Sequence, residues 1–195
     1  MVTHMTQSQA MNKLADYFQI SQGSHTAPAQ IKYDAQRDTY TVINADVLLW
    51  GSDDVMTQLP IQFDVVHGKF YIPNAGLTTL QGSPDQVKGS FVAHGNKLTT
   101  LVHGPTWVEK DYQIYNNPLK NLDGFPTHVG GDCFITYHKQ LPLLRLLVVQ
   151  GELHLSKAPA IVYEIMNKYA GKGKTLMLNC ARDLKQAGYA GNATW

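Results

Sequence analysis

The chain has 195 residues, 44% hydrophobic and 16% charged, which is enough for one folded unit with a buried core and too apolar for intrinsic disorder. Sixteen Lys and Arg against fifteen Asp and Glu leave a formal charge of +1, so no bulk field draws the protein to nucleic acid or to an acidic membrane. Two cysteines, Cys133 and Cys180, both where an apolar side chain is expected, argue against a disulfide framework and for a reducing cytoplasm.

The first residues, Met1-Val-Thr-His-Met-Thr-Gln-Ser-Gln, carry no basic segment leading into an apolar one, and no run of about 18 apolar residues follows, so neither export nor a membrane span is expected. Ala10 to Ile20 places Met11, Leu14, Ala15 and Phe18 at helical spacing, with Thr6 or Ser8 as N-cap. Ser21 to Ala29 reads as loop. Ile31 and Tyr33 alternate, as do Tyr40 and Val42, on either side of Ala35-Gln-Arg-Asp, which predicts a hairpin leading into a strand from Val47 to Trp50.

From Met56 onward the chain repeats itself every 21 residues. Met56, Leu77, Leu98 and Leu119 share one column, and Leu59, Leu80, Leu101 and Leu122 share the next. Val66, Val87, Val108 and Val129 follow, then Phe70, Phe91, Tyr112 and Cys133, then Ile72, Ala93, Ile114 and Ile135. Pro84, Pro105 and Pro126 share a column headed by Phe63, while Gly68, Gly89 and Gly131 share one interrupted by Lys110. Each coil reads as a strand (Lys69 to Ile72 and equivalents), a polar turn, a Leu-x-x-Leu segment and a proline-bearing return. One such coil encloses no interior, so the four must stack to bury their columns.

Beyond the repeats, Leu141-Pro-Leu-Leu-Arg-Leu-Leu-Val-Val predicts a last buried coil and Glu152 to Leu155 a closing strand. Pro159 opens a helix with Ile161, Ile165, Met166 and Tyr169 on one face and Gly171 as its stop. A second helix turns Leu176, Cys180, Ala181 and Leu184 inward and stops at Gly188.

Leu98-Thr-Thr-Leu and the run from Asn117-Pro-Leu119 through Leu122-Asp-Gly-Phe-Pro to Val129-Gly-Gly-Asp resemble the repeat of leucine-rich-repeat-like proteins encoded by bacteriophages and some bacteria. The tail, from Leu141-Pro-Leu-Leu through Asn167-Lys-Tyr-Ala-Gly-Lys to Ala187-Gly-Tyr-Ala-Gly-Asn-Ala, is similar to the segment that follows those repeats in tailed phages. Two positions depart from the pattern: Cys133 replaces Phe or Tyr, and His103 replaces the glycine of Gly82 and Gly124. The expected fold is α+β, a short leucine-rich-repeat-like β-solenoid at 51–155. An N-terminal helix and β-hairpin cap at 1–50 and a two-helix cap at 156–195 complete one cooperative domain. The resemblance implies a protein-binding module made in an infected bacterium, which binds and inhibits or redirects a host protein, for example one of a defence system.

If Phe70 and Ile72 point inward, alternation turns Lys69, Tyr71 and Pro73 outward, then Ser90, Val92 and His94, then Asp111, Gln113 and Tyr115, then Asp132, Phe134 and Thr136. Lys69, Tyr71, Val92, His94, Asp111, Gln113, Tyr115, Asp132 and Phe134 are therefore the candidate partner-binding residues, with aromatic anchors and an acidic rim. No catalytic residue, cofactor or metal is expected. His67, His94, His103, His128 and His138 do not share one column, no Cys-x-x-Cys or His-x-x-x-His occurs, and His94, Cys133 and His138 come nearest to a ligand set. Gly171-Lys-Gly-Lys-Thr175 lacks phosphate-loop spacing and follows a helix, so a solvated turn is expected. Alternatives from other classes are a structural or adhesive virion component and a small hydrolase or nucleotide-binding protein. Neither nucleic acid nor membrane is expected as partner.

Overall fold

A coil of about 21 residues with so little internal pairing can satisfy its backbone N–H and C=O groups only by passing them to the coils before and after it. The computed structural model describes residues 6–49 and 56–195. Its elements are α1 (Gln7–Ala15), β1 (Phe18–Ser21), β2 (Gln30–Asp34), β3 (Thr39–Ile43), β4 (Asp46–Leu49), β5 (Gln62–Val66), β6 (Phe70–Tyr71), β7 (Gln86–Val87), β8 (Phe91–Val92), β9 (Trp107–Val108), β10 (Tyr112–Gln113), β11 (His128–Val129), β12 (Cys133–Thr136), β13 (Leu153–Ser156), α2 (Ala160–Tyr169) and α3 (Met177–Gln186). Met1 to Met5, and Trp50 at the end of the strand expected from Val47, lie outside the described residues.

The coils form a β-solenoid with helices at both ends. One sheet has seven strands in the order β1-β4-β6-β8-β10-β12-β13, and a second has six in the order β11-β9-β7-β5-β3-β2. Both run parallel except at the N-terminal end, where β1 pairs antiparallel with β4 and β2 with β3. In the first sheet Phe70, Phe91, Tyr112 and Cys133 stand in register at steps of 21. The flanking pairs Val47↔Phe70 and Cys133↔Leu153 step by 23 and 20, so the sheet continues where the repeat fades. Neither sheet is interrupted at residue 50, because β3 and β4 already belong to the stack.

The second sheet is a feature the sequence reading lacked. The valine column of Val66, Val87, Val108 and Val129, in the expected proline-bearing return, lies on strands β5, β7, β9 and β11. Strands of two residues show one inward side chain each and therefore no alternation to detect. The prolines sit two residues upstream of β7, β9 and β11, where they need no donor: the next coil-to-coil bonds start from Asp85 N to Asp64 O, Thr106 N to Asp85 O and Thr127 N to Thr106 O.

Inside, the apolar columns are continuous. Phe70, Phe91 and Tyr112 stack ring on ring at 5.8 and 5.3 Å, and Phe125 meets Tyr112 edge-on where Cys133 shortens the column. Gly68, Gly89 and Gly131 mark the corner of closest approach: a Cβ on Gly89 would lie 2.5 Å from the Gly68 carbonyl carbon and oxygen. At another corner Asn96 and Asn117 are buried as a ladder. Asn96 Oδ1 accepts from the N–H groups of Ala75 and Leu77, and its Nδ2 donates to the carbonyls of Ile72 and Ala93, all between 2.9 and 3.1 Å. Asn117 repeats the pattern towards Leu98, Ala93 and Ile114. Asn192, from the C-terminal tail, closes the last coil by donating to the carbonyls of His138 and Leu141.

The caps differ from expectation in detail. Thr6 and Gln9 form a capping box for α1, which stops at Ala15 and does not reach Ile20. Phe18 instead starts β1, which covers the open edge of β4 and puts the Phe18 ring edge-on to Phe63 at 5.2 Å. Edge pairing outweighs the helical spacing that linked Leu14 to Phe18. Ala10 and Leu14 face the core, whereas Met11 and Ala15 are exposed. At the other end Val162, Ile165, Met166 and Tyr169 are buried, and Ile161 is exposed. Asn167 on α2 accepts from Leu153 N–H at 2.7 Å and donates to the Leu153 carbonyl at 2.9 Å, so a side-chain amide occupies the last edge. Asp183 of α3 accepts from Lys168 Nζ at 2.8 Å and Tyr169 Oη at 2.6 Å, clasping α2 to α3. Among the described residues no helix is long and apolar enough to cross a membrane.

Two substitutions test this account. Asn96→Ala orphans several buried backbone groups at about 1–3 kcal/mol each, so urea unfolding should show a loss of at least about 3 kcal/mol. His103 holds a left-handed φ of +68° where Gly82 and Gly124 have +97° and +84°. His103→Gly should therefore raise stability by about 0.5–1 kcal/mol in the same assay.

Candidate functional site

The outward face of the seven-stranded sheet is a grid, because in-register strands about 4.8 Å apart place equivalent side chains side by side. Its middle column runs Leu48, Tyr71, Val92, Gln113, Phe134 and His154. Lys69, Tyr71, His94, Asp111, Gln113, Tyr115, Asp132 and Phe134 all lie on this face and are partly accessible. Val92 is a correction. It points away from the core cluster but is only 1% exposed. A short side chain between Tyr71 and Gln113 is walled in by its longer neighbours and offers a partner nothing.

Rings on this face stack in pairs. His94 lies on Tyr115 with centroids 4.5 Å apart and planes 13° from parallel. Phe134 lies on His154 at 4.2 Å and 6°. Lys69 Nζ sits 5.0 Å from the centre of the Tyr71 ring. Each ring is held by its neighbour, so little side-chain entropy remains to be lost on contact with a partner.

The acidic rim has a structural duty as well. Asp46 Oδ1 accepts from Lys69 N–H at 2.7 Å, Asp111 Oδ1 from Asp132 N–H at 3.1 Å and Asp132 Oδ1 from Glu152 N–H at 2.8 Å. The second oxygen of Asp132 lies 3.4 Å from His154 Nε2.

Three residues absent from the sequence-based set complete the face. His154, Ser156 and Tyr163 join Tyr115 and Phe134 around a hollow of 360 Å³, to whose lining the core residue Leu155 also contributes. Tyr163 comes from α2 and donates its hydroxyl proton to Glu152. The strand residues fall one step of 20 beyond Phe134 and its neighbours, where a strict 21-residue count no longer finds them. Tyr163 had no periodic signal at all. A second aromatic patch lies on the six-stranded sheet, where Trp107 stacks on His128 at 3.8 Å and Lys88 approaches the indole at 5.9 Å. Those two rings are 21 residues apart, a spacing visible in the sequence.

His94, Cys133 and His138 do not converge. His94 is on the outward face, Cys133 is interior, and His138 accepts from Gln140 N–H through Nδ1. Among the described residues no group of three or more His, Cys, Asp or Glu is placed to hold a metal ion. Burial pushes the Cys133 thiol far up and the Cys180 thiol up to about 11, which disfavours the thiolate at either. Gly171, at a φ of +68°, ends α2, and the lysine-rich segment after it is the turn between the two helices.

Comparison with protein-family models, with curated proteins and with solved structures finds no match for this chain.

Burial lowers the His94 pKa from its ordinary value of 6.5. As pH falls past about 6.5 the unfolded chain takes up this proton before the folded one. The contribution of neutral His94 to stability is therefore complete above about pH 6.5 and declines as pH drops towards the folded-state pKa. NMR should give a His94 midpoint below 6.5, and His94→Phe should reduce the fall in urea midpoint between pH 7 and pH 5. A midpoint above 6.5 would contradict this assignment.

Proposed function

We propose that this chain is a non-enzymatic protein-binding module whose partner docks on the outward face of the seven-stranded sheet. The observation that supports this most is the pair of ring stacks, His94 on Tyr115 and Phe134 on His154, fixed side by side on one rigid sheet and partly open to solvent. Rigid aromatic side chains are typical interface anchors, since they present large area with few torsions to freeze. The acidic column of Asp111, Asp132 and Glu152 supplies a polar border with defined sign.

The resemblance of the repeats and tail to phage-encoded leucine-rich-repeat-like proteins suggests the partner: a protein of a bacterial host that the bound solenoid inhibits or redirects. The high thiol pKa values favour binding over nucleophilic catalysis. The test is capture from bacterial lysate, followed by titration with the purified partner. A Tyr71→Ala, Tyr115→Ala, Phe134→Ala triple variant with wild-type circular dichroism should bind at least about 100-fold more weakly, at about 1 kcal/mol per anchor. Unchanged affinity in that folded variant would remove this face as the site.

A further inference from the structure

We propose that the hollow bounded by Tyr115, Phe134, His154 and Tyr163 receives an arginine guanidinium of the bound protein. The inference rests on the docking face proposed above and specifies what that face recognises. The outer column of the grid runs Pro73, His94, Tyr115, Thr136 and Ser156, following the register of the strands beside it. Ring stacking that starts at His94 therefore ends at Tyr115, because the next two side chains are small. His94 covers one face of Tyr115 at 4.5 Å, and on its other side Tyr115 borders the hollow of 360 Å³.

With coils about 4.8 Å apart, two successive small residues leave room for a flat group lying parallel to the tyrosine ring. Phe134 and His154 form a side wall, and Tyr163 on α2 closes the remaining side. Thr136 Oγ1 accepts from Asn116 N–H at 2.8 Å and from Ser156 Oγ at 3.2 Å, so these small side chains are tied down.

Either an aromatic ring or a guanidinium would fit such a slot, and charge decides between them. Asp111, Asp132 and Glu152 follow one another along the column on the far side of Phe134 and His154, and Tyr163, which lines the hollow, reaches Glu152 through its hydroxyl. Among the described residues no Lys or Arg, Lys157 included, forms an ion pair with any of the three; the Arg and Lys pairs go to Asp64, Asp123 and Asp183. Among the described residues the side chain paired with the Asp132 carboxylate is the imidazole of His154, and its other oxygen accepts from Glu152 N–H. The negative faces of the rings and the carboxylates beside them attract a planar cation together. A neutral ring gains the stack alone, and an ammonium is too strongly hydrated and not flat.

The test is an NMR titration of the full chain with N-acetyl-arginine amide, and with the lysine and tyrosine amides as controls, in wild type, Tyr115→Leu and Glu152→Gln. Glu152→Gln keeps an acceptor for Tyr163 and should leave the melting temperature unchanged. The arginine probe is expected to shift the amides of Tyr115, Phe134, His154 and Ser156 along a saturating curve, about fivefold weaker in each variant. No saturable shift with that probe, or an equal response to the lysine or tyrosine probe, overturns the proposal. Capture of a partner that is lost in the triple variant while the arginine probe fails leaves the docking face standing and the guanidinium assignment refuted. Unchanged capture of the partner by the folded triple variant, while the probe binds wild type as described, refutes the docking face and with it the bound protein as the source of the arginine.

Discussion

Val47 donates its N–H to Lys69, Phe70 to Ser90, Phe91 to Asp111, Tyr112 to Asp132 and Cys133 to Glu152, and this chain of coil-to-coil bonds holds every rung at the same height. Once the bonds are in register, the spacing of all side chains along the axis is fixed at about 4.8 Å. Phenyl rings one coil apart can then stack. Carboxylates one coil apart can reach the next N–H. Glycine is required at the tight corner of Gly89, where a Cβ would strike the Gly68 carbonyl, while the following coil admits Lys110 at the same position. Asn96 and Asn117 extend the constraint to a corner where backbone groups would otherwise be buried unpaired. The interior aromatic column, the asparagine ladder and the outward grid are therefore three results of one periodic hydrogen-bonding pattern.

Much of this was legible because the repeat samples the same environment four times. Three of the four members of the column that begins with Met56, and all members of the other four apolar columns, are buried as the period required, and the outward alternation of Lys69, Tyr71 and their equivalents follows from it. What the sequence concealed has two causes. Two-residue strands such as Trp107–Val108 are too short to carry a pattern of their own, so the second sheet emerges only from pairing. Long-range covering also overrides local spacing: Phe18 follows Leu14 by four residues, as in a helix, yet pairing with β4 draws it into a strand.

The candidate site shows the same division. Tyr71, Tyr115 and Phe134 could be placed by counting, whereas the burial of Val92 depends on the lengths of its two neighbours. His154 was displaced from the count by a single residue in the last coil. Tyr163 reaches the face from a helix that follows the whole solenoid, a juxtaposition no linear spacing encodes. The acidic residues carry two roles at once. Asp132 accepts from the backbone of the next coil with one oxygen and faces His154 with the other, so its own charge cannot be altered without disturbing the stack beneath it.

The amide of Asn167 has a consequence for the size of the molecule. A parallel stack contains no internal instruction to stop, because each coil ends as it begins and would accept another copy of itself. By presenting one donor and one acceptor to Leu153, Asn167 imitates a single residue of a strand and then offers nothing further to pair with. Stack length is thus a property of the terminator, not of the repeated unit. A gene for this protein could gain or lose whole 21-residue segments in the middle, lengthening or shortening the outward sheet face by one rung at a time, while the same terminator continued to close the stack.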